Sequence, residues 1–252
     1  MEKTKGTRAC LLVSDDAIRY CTTGRGGRIL RTGRIGRREN MAEALRTVPG
    51  LFPEEDVPQV RLLPDTDRVC LIPQEWFERG DADRCLALAG MTARPSDELV
   101  VTAPVGGIVA AMYVGAEPWP AVRALFPGAR VVHPLQVAAA WRQASKPAVE
   151  AFLCGGKVHL TASAGGRTIC ARTQPCRSEA DLFYYLNRLR IEYPHLKFRI
   201  GICGEGAREA AKAAARLFPR VSVLRMSSRG ANAGKDAAAE YLPLMRVCHE
   251  NY

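Results

Sequence analysis

Two stretches of this 252-residue chain open in the same way. ACLLVSDD, AIRYCTTG and RGGRILRTG begin the first half as three short strand-like runs, with turns at Asp15-Asp16 and Gly24–Gly27. AFLCGG, KVHLTASAGG and RTICARTQ begin the second, separated by glycine pairs, which punctuate β-hairpins. In KVHLTA the apolar Val158, Leu160 and Ala162 alternate with polar residues, which predicts a strand buried on one face. A helix follows each triplet. In the first half it is NMAEALRTV, with Asn40 as its N-cap. In the second it is SEADLFYYLNRLRIEY, where Ser178 and Asp181 form a capping box with Asp in place of the usual Glu or Gln. Leu182, Tyr185, Leu186 and Leu189 share one face of that helix.

The strand KFRIGIC, an alanine-rich helix and the strand VSVLRM come next. Three meandering strands and then α-β-α-β is the element order of a ribonuclease H-like α/β domain. The first half departs from this order after its first helix. VRLLPDTDRVCLIP reads as a hairpin, and QEWFERGDADRCLALAG as a helix anchored by Trp76 and Phe77. DELVVTA and GIVAAMYVG read as strands, WPAVRALFPGA as a short helix, and RVVHPLQVAAAWRQA as a strand leading into a helix. The expectation is two related halves, 1–146 with insertions and 147–252. No low-complexity linker separates them at Lys146-Pro147, so they should pack together.

Composition narrows the class. A hydrophobic fraction of 47% with 25% charged residues is that of a soluble globular protein. The N-terminus lacks the apolar core of a signal peptide. The longest nearly apolar stretch, 105–116, is far short of the roughly 20 residues that span a bilayer. Nine cysteines without a C-x-x-C pair fit reduced thiols in a cytoplasmic protein, each acting as a small buried hydrophobe. The net charge of +10 is concentrated in the second half, with +3 over 1–147 and +7 over 148–252. Such an excess attracts anionic partners without identifying one.

The turn in FRIGICGEGAREAAKAAARLF is of a kind that holds phosphates or adenosine elsewhere. Gly204-Glu205-Gly206 supplies G-x-G, but a dinucleotide fingerprint needs G-x-G-x-x-G and a later acidic residue. Glu205 stands where a phosphate belongs and already satisfies the helix dipole, which favours a tight strand-to-helix turn. RGANAGKD at 229–236 has three residues between its glycines and no hydroxyl after Lys235, unlike a phosphate loop, and reads as a surface loop. Metal-assisted phosphoryl transfer needs carboxylates, yet none occurs between Glu150 and Glu179. His133, His159, His195 and His249 have no metal-ligand spacing, and no G-x-S-x-G is present. No catalytic or metal-ligating residue is therefore assigned.

One positive feature stands out. Arg25, Arg28, Arg31, Arg34 and Arg37 recur at every third residue, followed by Arg38, with no acid between Asp16 and Glu39. Faces alternate along a strand, so some of these arginines should lie in turns near Gly26-Gly27 and Thr32-Gly33, unless the strand runs past the sheet. The run is either a solvated hairpin or an anion-binding ribbon for RNA or an acidic protein face. Aromatic residues for base stacking are sparse beside it.

The order of VRLLPDTDRVCLIPQEWFERG, AEPWPAVRALFPGARVVHPLQVAAAW, EADLFYYLNRLR and YLPLMRVCHENY resembles the bacterial family called domain of unknown function 3822. The resemblance spans nearly the whole chain. It implies an actin-like ATPase fold, two ribonuclease H-like halves around a cleft. By position it would put the two phosphate turns at Ser14-Asp15-Asp16 and Cys154-Gly155-Gly156, and the adenosine turn at Gly204-Glu205-Gly206 with Ala207. The second phosphate turn has no acid, which argues against hydrolysis. The expected role is a non-catalytic, cytoplasmic scaffold or adaptor with a protein partner. The alternatives are weak ATP binding in the cleft and RNA association through Arg25–Arg38.

Overall fold

The computed structural model describes residues 8–14, 16–24, 29–36, 43, 59–115, 119–141, 145–225 and 237–249. Apart from Glu43, the expected helix at 40–48 lies outside those residues, as do the loop at 229–236, Asp15, Arg25, Arg28, Arg37 and Arg38.

Two five-stranded sheets share one topology. The first runs β3-β2-β1-β4-β8, from β1 (Arg8–Val13), β2 (Ala17–Thr23), β3 (Ile29–Gly36), β4 (Gln59–Pro64) and β8 (Arg130–Val131). The second runs β11-β10-β9-β12-β13, from β9 (Ala148–Cys154), β10 (Lys157–Ala164), β11 (Arg167–Pro175), β12 (Arg199–Gly204) and β13 (Val221–Val223). In each, the three meander strands are antiparallel and the last two add in parallel. The repeated opening in the sequence is a repeated sheet.

Between β4 and β8 stands a separate antiparallel sheet, β5 (Val69–Pro73), β7 (Ile108–Val114) and β6 (Glu98–Val101). VRLLPDTDRVCLIP is thus no hairpin, because its two strands join different sheets. Arg61 to Asp65 are all buried, as suits an interior parallel strand beside β1. The stretch after β5 forms two 3-10 turns and a short helix α1 (Ala82–Leu88). Phe77 packs beside it, whereas Trp76 is 75% exposed and anchors nothing. Thr32-Gly33 lies within β3, not in a turn.

Helix α2 (Trp119–Leu125) precedes β8, and α3 (Pro134–Ala140) follows it. In the second half α4 (Glu179–Glu192) starts at the expected box. Asp181 N donates to Ser178 Oγ at 3.2 Å, and Ser178 N donates to Asp181 Oδ2 at 3.0 Å. Leu182, Leu186 and Leu189 pack with α5 (Ala207–Ala214) and Ile202 in one core.

β10 departs from the one-sided pattern: His159, Thr161 and Ser163 are as buried as their apolar neighbours. The face predicted to be wet is covered by the first half, where Thr168 on neighbouring β11 donates to the α3 carbonyl of Ala139. The short helix α6 (Ala237–Glu240) precedes α7 (Leu242–His249). Although α7 follows the second sheet in the chain, its Leu242, Leu244, Met245, Val247 and Cys248 share a core with Cys10, Leu12 and Cys21 of the first. All nine cysteines are free thiols. Among the described residues no helix is long and apolar enough to cross a membrane.

Candidate functional site

The ends of β1, β4, β9 and β12 converge where the halves meet. Each strand delivers its next residues to that point: Ser14 and Asp16, Asp65, Gly155, and Glu205. Two linked clusters result.

Glu205 stands at the centre of the first. Gly204 has φ +97°, and a Cβ there would come within 2.0 Å of the Leu153 carbonyl, so only glycine lets this turn lie against β9. Glu205 N then donates to Leu153 O at 2.9 Å. Its side chain reaches the Cys154-Gly155-Gly156 turn, where Gly155 N donates to Oε2 at 3.0 Å. Oε1 pairs with Arg19 of the first half, whose side chain is 1% exposed, and lies 3.9 Å from Arg34 Nε. Arg19 also donates to Ser14 Oγ at 3.1 Å, and Arg34 pairs with Asp16 Oδ2 at 2.7 Å. Partial burial would raise the Asp16 carboxyl. The Ser14 hydroxyl and the Arg34 and Arg19 guanidiniums outweigh it and hold the pKa down at about 2.

Asp65 stands at the centre of the second cluster, fully enclosed at the end of β4. Its Oδ1 accepts from His159 Nε2 at 3.0 Å, and its Oδ2 lies 3.4 Å from Lys157 Nζ. Lys157 also donates to the Asp65 carbonyl at 3.1 Å. Burial alone would push this carboxyl up, but the hydrogen bond and charge of His159, with the charge of Lys157, keep it below the ordinary range. His159 Nδ1 lies within hydrogen-bond distance of Thr173 Oγ1, at 2.9 Å. Phe152 stacks on the His159 ring at 5.5 Å, and His133 meets its edge at 5.4 Å.

His133 caps α3. Its Nδ1 accepts from Leu135 N at 3.1 Å, while Nε2 donates to the Thr66 carbonyl at 3.1 Å, an arrangement that suits the neutral ring. Burial first, and the neighbouring His159 second, lower its pKa to about 3.

The two clusters bring Asp65 and Asp16 up against Gly155. A Cβ on Gly155 would lie 3.0 Å from Asp65 Oδ2 and 3.2 Å from Asp16 Oδ1. A phosphate entering here would meet Asp16, Asp65 and Glu205, and would have to displace the last from the Gly155 amide. Beside Gly206 a cavity of about 240 Å³ remains, lined by Glu179, Glu205 and Glu209 and also by Lys157 and Arg177. That is below the range of roughly 300–1,000 Å³ typical of small-molecule pockets. Ala207 is the buried first residue of α5, and Gly156 O accepts from Cys176 N at 2.7 Å.

Of the expected site residues, Gly155, Gly156, Gly204, Glu205, Gly206 and Ala207 are brought together. The arginine run divides: Arg34 turns to the cleft, while Arg31 stands exposed on β3. Sequence reasoning missed Arg19, Asp65, His133, Lys157 and His159. His133 carried a local signal, since His-Pro-x-Gln places a capping residue before proline at the first helical position. Asp65 and His159 are 94 positions apart and carried none.

No family model matches the sequence, and no curated protein matches it. Solved structures do resemble it. A Bacteroides thetaiotaomicron protein described as having an actin-like ATPase fold and unknown function is 12% identical with a TM-score of 0.76, over 98% of this chain and 96% of that one. The PilM-PilN type IV pilus biogenesis complex gives 12% identity and a TM-score of 0.61, over 99% of this chain and 100% of that one. The ethanolamine utilization protein EutJ from Carboxydothermus hydrogenoformans gives 8% and 0.55, over 96% and 89%. At such identities the likeness shows the fold: the chain has an α/β, actin-like ATPase fold.

Proposed function

We propose that this chain is a non-catalytic, cytoplasmic scaffold or adaptor on the actin-like fold, working through contacts with another protein. Membership of the family called domain of unknown function 3822 is part of the same proposal. One observation carries it: the Glu205 carboxylate sits on the Gly155 amide and against Arg19, so the chain's own anion fills the place of a nucleotide phosphate. Ion pairs of Asp16 and Glu205 with Arg19 and Arg34 join the two surfaces and engage the two carboxylates beside Gly155. The PilM-PilN neighbour is an assembly of two proteins, which makes a protein partner the natural analogue.

Thermal melting with and without millimolar Mg-ATP, with Mg-GTP as control, tests the reading. The midpoint should not move, because a ligand that binds only the native state must raise it. A rise of several degrees specific to ATP, abolished by Gly206→Trp, would replace this proposal with nucleotide binding at Gly204–Ala207. Among the described arginines of the 25–38 run only Arg31 is left for an RNA contact, since Arg34 is engaged in ion pairs.

A further inference from the structure

The second sheet has a far end. Gly204 pairs with Leu153 beside the cleft, but Ile200 pairs with Val149 four residues away, at the opposite edge of the same two strands. There a cavity of about 550 Å³ opens to solvent. Its floor is the buried Val149, Leu186, Ile200 and Phe218. Its exposed rim carries Arg190, Lys197 and Arg220, and no Asp or Glu lines it.

The three cations have no carboxylate among the described residues. The nearest candidate on α4, Glu192, is taken by Arg172 and Arg188. Arg190 instead leans over the Phe218 ring, 5.9 Å from its centroid, and so over the cavity's apolar wall. Arg220 adds an independent sign. It is the one non-glycine residue with positive φ among those described, at +63°, and its carbonyl is pinned by Ile200 N at 3.1 Å. Strained backbone of this kind clusters at ligand clamps, where surrounding structure holds it in place.

An apolar pocket of this volume with a few convergent polar groups is the usual form of a small-molecule site. We infer that the cavity binds a small amphipathic anion, an alkyl chain with one charged head. The chain lies on Val149, Ile200 and Phe218, and the head meets Arg190, Lys197 and Arg220. Planar guanidinium groups suit such a head because they offer paired donors.

Calorimetric titration with decanoate, decanol and decyltrimethylammonium tests this. Decanoate should bind saturably, at least tenfold tighter than decanol, and decyltrimethylammonium should not bind. A triple variant, Arg190→Gln with Lys197→Gln and Arg220→Asn, should reduce decanoate to the level of decanol and leave decanol unchanged. Asparagine is at home at positive φ and the three positions are exposed, so the variant's melting temperature without ligand verifies its fold. Equal affinity for decanoate and decanol, full decanoate affinity in the triple variant, or no saturable decanoate binding would each overturn the inference. None of these outcomes depends on the cleft.

Discussion

Gly155 N donates to Glu205 Oε2 at 3.0 Å, and the other oxygen of the same carboxylate pairs with Arg19 in the opposite half. One side chain thus satisfies a backbone donor of the second sheet and a nearly buried cation of the first. Under the proposed function the bond is an internal substitute for a bound anion, and its removal has two separable consequences.

Glu205→Ala should destabilise the protein by about 1–2 kcal/mol, since a part-exposed ion pair and one amide hydrogen bond are lost together. The vacated amide and Arg19 should then accept inorganic phosphate. Thermal melting of the variant should rise with added phosphate while that of the unaltered protein does not. Equal response of both proteins would show that Glu205 does not occupy an anion position.

The two glycines that flank Glu205 should differ sharply in tolerance. Gly204→Ala puts a methyl group 2.0 Å from the Leu153 carbonyl at a φ of +97°, and should cost at least about 3 kcal/mol. Gly206 has φ +61° with nothing within 4 Å of its missing Cβ, so Gly206→Ala should cost only about 1 kcal/mol. Urea denaturation midpoints of the two variants measure the difference.

Acid should weaken the fold in two stages. His133 has a folded pKa of about 3 against an ordinary 6.5, so the unfolded chain takes up the proton first. Its contribution is complete above pH 6.5 and is lost as pH falls toward 3, at about 1.4 kcal/mol per pKa unit. Asp16, held at about 2 against 3.8, adds a loss that begins below about pH 4, and Asp65 acts in the same direction. His133→Asn keeps a capping oxygen, should be less stable at neutral pH, and should show a flatter stability profile between pH 6 and 4. Urea titrations at a series of pH values decide this.

The last helix should report on the first sheet. Leu244 is fully buried, and Leu244→Ala should cost about 2–4 kcal/mol through transfer and cavity terms. Amide exchange should accelerate in β1 and β2, against which α7 packs, before it does in β11. Equally early acceleration in β11 would contradict the packing of α7 on β1 and β2.

By itself the sequence determined what depends on neighbouring residues. The glycine pairs made the β9–β11 meander, Ser178 and Asp181 started α4, and Gly204 with Gly206 shaped the turn into α5, because turn dihedrals and caps are settled within a few positions. Repetition of those local signals made the duplicated sheet legible too. Tertiary structure alone decided where β4 and β5 went, that α7 would pack back on the first sheet, and that both faces of β10 would be buried. It also joined Asp65 to His159 across 94 positions and Arg19 to Glu205 across 186. Spacing along the chain carries no trace of such pairs. They form only when two sheets close on each other and their charged side chains must find partners away from water.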